Sequence, residues 1–98
     1  MSCNNCLAMT NQTVSVSSHV RNVRNHLMLA RGASTSALRR SNLVYALREA
    51  VSYDVRQPGN AAMRHVVGLL TDAVSSGSCK KVDVQLLTEE IGARTGWF

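Results

Sequence analysis

Residues 60–77, NAAMRHVVGLLTDAVSSG, decide the fold class. Met63, Val66, Val67, Leu70, Ala73 and Val74 recur at steps of three and four. That period lays them along one side of an α-helix and along neither side of a strand. The spacing predicts a helix from Ala61 to Ser75. Asn60 is positioned to cap its first turn, and Ser75-Ser76-Gly77-Ser78 ends it. No other segment has so broad an apolar face, which makes this helix the expected centre of the core. The face is also wide enough to seat a second copy of the chain.

Working upstream, Arg56-Gln57-Pro58-Gly59 interrupts the helical pattern, because Pro58 cannot continue a helix. Before it, Leu43, Ala46, Leu47, Ala50 and Val51 define the buried side of a helix over Asn42–Asp54 that extends back towards Ala37. Arg48, Glu49 and Ser52 then point outward. Ala33-Ser34-Thr35-Ser36 is a connector. An earlier stripe, Val16, Val20, Val23, Leu27 and Ala30, predicts a helix from Ser17 or Ser18 to Ala30, with Gly32 just past its end. Downstream, Val84, Leu87 and Ile91 share one side of a helix over Asp83–Ile91. Asp83 is its expected N-cap, Val82 is set to staple onto Leu87, and Gly92 is its expected stop. Residues 1–15 carry no period. The expectation is an all-α protein: an irregular N-terminal arm (1–15) and a single helical domain (16–98), a compact bundle of about four short helices.

Composition agrees with one small globular domain. An apolar fraction of 45% with only 17% charged residues excludes bulk disorder. With four aromatic residues in 98, the core must be built from aliphatic side chains. No apolar run approaches the ~20 residues that span a bilayer, so no membrane partner is expected. Met1-Ser2-Cys3-Asn4-Asn5-Cys6 has neither the charged nor the apolar region of a secretory signal. Three cysteines, an odd number, suit free thiols in a reducing compartment. The expected location is intracellular, in the cytoplasm.

Charge is distributed unevenly along the chain. Arg21, Arg24, Arg31, Arg39, Arg40 and Arg48 precede the first carboxylate, Glu49, or adjoin it directly. The remainder has five bases and six acids, so the net charge of +5 resides in the N-terminal half. Arginine outnumbers lysine nine to two, and its planar fork binds phosphate bidentately. Arg39 and Arg40 fall at the start of the second helix, the unfavourable end of its dipole for a cation. A bound anion would offset that cost. In a hairpin of the first two helices Arg21, Arg24, Arg31, Arg39 and Arg40 can form one basic strip, with Asn22, Asn25 and Ser34–Ser36 as neutral donors and Arg48 as a further candidate contact. Such a strip suits backbone phosphates of duplex RNA or DNA read by shape. Aromatic side chains for stacking unpaired bases are missing there. If about five arginines meet phosphates, log K should fall against log salt with a slope near −4 to −5. The expected activity is thus that of a small basic nucleic-acid-binding protein acting as a homodimer.

Other constellations carry less. Cys3 and Cys6, with His19 and His26 or with Cys79, approach the ligand set of a zinc site. His19 and His26 are seven residues apart, however, so their Cα atoms stand ~10 Å apart on a helix. Free thiols are the preferred reading, with no metal. No nucleophile elbow, paired acid–base group or Gly-rich phosphate loop is present, so neither enzymatic activity nor a cofactor is expected. Trp97 and Phe98 can dock on the domain itself or form a subunit interface. The competing reading is a helical protein–protein module, a viral or bacterial assembly, adaptor or inhibitor protein that meets an acidic partner.

Overall fold

A computed structural model describes residues 18–98, and these form an all-α bundle. Helix α1 covers residues 18–32 of the described chain. It is followed by α2 (Ser36–Arg56), α3 (Ala61–Ser76) and α4 (Lys81–Thr95). Links of three or four residues join them, with α2 packed against α3 and α3 against α4. The proposed arm, the cap at Ser17, Val16, Cys3 and Cys6 lie outside the described residues.

The core draws on all four helices. Val23, Leu27 and Ala30 come from α1, and Leu43, Ala46, Ala50 and Tyr53 from α2. Met63, Val66 and Leu70 come from α3, and Val84, Leu87 and Ile91 from α4. α2 and α4 both pack against α3 and bury Met63, Val66 and Leu70 of its wide face. Val67, Leu69, Ala73 and Val74 fill the margins.

Helix ends explain where the sequence expectations moved. α2 begins at Ser36, six residues before the Asn42 where the apolar pattern first becomes regular. Its N-cap is Thr35, whose hydroxyl accepts from the Leu38 N–H at 3.2 Å. Its buried side is also rotated from the expected one: Tyr53 is buried, while Val51 is 42% exposed. Asn60 caps α3 as expected, accepting from the Met63 N–H at 2.9 Å. The same amide donates to the Tyr53 hydroxyl at 3.2 Å, tying the end of α2 to the start of α3.

α4 differs most. Asp83 is not its N-cap but its third residue, reaching back to accept from the Lys80 N–H at 3.3 Å. Val82 is therefore inside the helix and 57% exposed, so it makes no staple with buried Leu87. The helix also runs through Gly92 and stops at Gly96, whose φ of 72° is the left-handed conformation open to glycine. Gly77 closes α3 in the same way, at φ 71°.

Candidate nucleic-acid interface

The arginine set is placed by how α1 meets α2. On the face of α1 that adjoins α2, His19 Nδ1 donates to Glu49 Oε2 at 2.8 Å. One helical turn and more along, His26 Nδ1 reaches Asn42 Oδ1 at 3.4 Å, and its ring stacks on Tyr45 with centroids 5.4 Å apart. A neutral imidazole facing a carboxylate or an amide oxygen must carry its proton on the facing nitrogen. Both histidines are thus engaged in packing α1 against α2. His19 also meets buried Tyr53 edge-on, with centroids 6.4 Å apart.

This contact decides the arginines. At ~100° per residue, Arg24 and Arg31 lie on the border of α1 opposite His19 and His26. They face away from α2, and Arg21 points outward beside them. All three are exposed. On α2 the side that adjoins α1 carries Asn42, Tyr45 and Glu49, so Arg40 and Arg48 project from its other and outer sides, also exposed. The single strip expected from the sequence is therefore divided into two groups, one on α1 and one on α2. Pairing on the histidine border and not on the arginine border is the physical reason.

Arg39 leaves the surface altogether. It is only 8% exposed. Its Nε donates to the Cys79 carbonyl at 2.6 Å, and Nη1 donates to the Ala33 carbonyl at 2.9 Å. Ala33 follows the C-terminus of α1 and Cys79 follows that of α3, the negative ends of two helix dipoles. They offset the cost of a cation in the first turn of α2. The role expected of a bound anion at this position is filled by the chain's own carbonyls. The sequence did contain a signal: Arg39, Leu43, Ala46, Ala50 and Tyr53 follow helical spacing, which places Arg39 on the buried stripe.

One exposed arginine was missed. Arg56, in the last turn of α2, is also exposed, ~12 Å along the axis from Arg48 and turned about 80° from it around the helix. Among the described residues, none of the six exposed arginines of α1 and α2 has a carboxylate within 4.0 Å. The two acids of α2 are turned elsewhere. Glu49 holds His19, and Asp54 lies 3.8 Å from Arg64 of α3. Exposed carboxylates are confined to α3 and α4, at Asp72, Glu89 and Glu90. The charge asymmetry of the sequence thus becomes a spatial one.

Trp97 packs against the core, and the Phe98 ring covers Gly92 of α4, where a Cβ would stand 3.2 Å from Phe98 Cδ2. The tail is thereby docked on its own domain, with Phe98 half exposed. Among the described residues no three His, Cys, Asp or Glu side chains converge as metal ligands. Cys79 is buried in the α3–α4 link, and Cys3 and Cys6 lie beyond the described chain. No helix among the described residues is long and apolar enough to cross a membrane. Compared with protein-family models, curated proteins and solved structures, the chain matches none of them.

Proposed function

We propose that this chain is a small nucleic-acid-binding protein that contacts duplex phosphates through the exposed arginines of α1 and α2. The observation that carries the reading is that, among the described residues, none of them has a carboxylate partner, since Glu49 is bonded to His19 and Asp54 stands nearest to Arg64 of α3. Unpaired guanidinium groups on two neighbouring helices repel one another and favour an anion. Arg39 takes no part. Arg21, Arg24 and Arg31 are the leading contacts, since one helix flank presents all three together. Arg40 and Arg48 form a second group on α2, for a second strand or a second duplex.

Phosphate contact alone confers little sequence preference. With three arginines engaged, log K should fall against log salt with a slope of about −3, and with both groups engaged about −5. Fluorescence anisotropy with duplex and single-stranded RNA and DNA over a salt series measures it. A salt-independent signal, or no binding at low salt, contradicts the proposal.

A protein–protein role is favoured by one separate feature. Met28, Leu29, Leu38 and Tyr45 are each about half exposed along the seam where α1 meets α2. An acidic partner would meet these apolar groups and the flanking arginines together. Protein purified at low salt discriminates the two: a raised 260/280 nm absorbance ratio supports nucleic acid, and a clean protein co-eluting with an acidic polypeptide supports the partner.

A further inference from the structure

The outer sides of the bundle carry two apolar strips of opposite electrical character. The first is an open groove of about 330 Å³ where the end of α1 meets the start of α2, lined by Met28, Leu29, Gly32, Ala33, Leu38 and Asn42. Arg24 and Arg31 are the i−4 and i+3 neighbours of Met28, so they stand along the rim of the groove that is farther from α2. The second lies along the outer side of α4, where Val82 and Leu86 are 57% and 58% exposed. Glu89 and Glu90 are the i+3 and i+4 neighbours of Leu86 and flank that strip, while Lys81 and Arg94 fall towards the borders of the helix. One strip is apolar and basic. The other is apolar and acidic, and has the width of a single helix.

We infer that the α4 strip of one copy docks in the α1–α2 groove of a second copy, so that the protein associates with itself head to tail. Burying Leu86 and Val82 against Met28, Leu29 and Leu38 removes exposed apolar surface on both sides. Glu89 and Glu90 then meet Arg24 and Arg31, which have no carboxylate partner among the described residues. The groove and the strip belong to different helices, so the contact is heterologous: each copy keeps one unused groove or one unused strip. The product is an open series or a ring, in place of the closed pair expected from the sequence. A contact of one helix on one groove falls at the small end of interface sizes, which makes the association weak and concentration-dependent. It goes beyond the nucleic-acid reading and is measured with protein alone.

Sedimentation velocity at low salt tests it with two surface variants, Leu38→Asp in the groove and Leu86→Asp on the strip. Wild-type protein, free of nucleic acid, should grow in average mass across about 10–500 μM. Each variant alone should need at least about tenfold higher concentration to reach the same mass. Mixed, the two should form a 1:1 dimer and nothing larger, since the mixture contains one intact groove for each intact strip. A wild type that stays monomeric throughout overturns the inference. So does a dimer that both substitutions leave intact, or a mixture no more associated than its components. Circular dichroism of each variant separates lost contact from lost fold.

Discussion

Replacing Arg39 with methionine keeps much of its apolar stem but strands the Ala33 and Cys79 carbonyls at the meeting point of three helices. Hydrogen bonds from a charged donor contribute about 1.5–3 kcal/mol each in favourable settings, and the losses here are partly shared. Arg39→Met should therefore lower unfolding stability by about 2–3 kcal/mol, read as a shift in the urea midpoint. Arg40→Ala, one residue on and exposed, should stay within about 0.5 kcal/mol of wild type. Equal stability of the two variants would show that the buried guanidinium is not the bridge that its geometry indicates. Two adjacent arginines with identical chemistry thus have different roles, and only helical phase distinguishes them. Phase was readable in the sequence; which of the polar residues on the stripe would be tolerated inside was not, because the compensating carbonyls come from residues 33 and 79.

At the level of the helices, caps and glycines carry the testable content. Asn60→Ala removes both the α3 cap and the hydrogen bond to the Tyr53 hydroxyl, and should cost about 1–2 kcal/mol in denaturant unfolding. Gly68 stands on the exposed side of α3 with open space where a Cβ would be. Gly68→Ala should raise stability by about 0.5–1 kcal/mol, and a loss instead would point to a close approach on that side that the isolated chain does not reveal. The apolar period located α3 almost to the residue and found the existence of the other three helices. Boundaries were legible only where a cap was local. Asn60 sits next to its helix and was found. The start of α2 was placed near Ala37, one residue from the observed Ser36, beside a connector whose Thr35 supplies the cap. α4 was shortened at both ends, since Asp83 and Gly92 each resemble a terminus but occupy interior positions.

Across the whole molecule, the uneven charge of the sequence became an uneven surface, with unpartnered arginines on α1 and α2 and exposed carboxylates on α3 and α4. What could not be read in advance was the azimuth at which α1 meets α2. Histidine and arginine borders flank the same apolar stripe of α1, and either could have faced inward. The pairs His19–Glu49 and His26–Asn42 chose the first, which left the arginines outside but divided them. The core of this small domain is shared by four short helices, so its centre has little slack. Leu70→Ala, at a fully buried position, should cost about 2–4 kcal/mol by thermal or chemical unfolding. The division of the arginines also sets the most direct test of the functional proposal, the salt dependence of duplex binding by an Arg21→Ala, Arg24→Ala, Arg31→Ala triple variant beside wild type. These exposed side chains should leave the unfolding midpoint close to wild type while the slope of log K against log salt flattens by about 2–3. A triple variant that binds duplex with the wild-type slope would contradict the assignment of α1 as the phosphate-contacting helix.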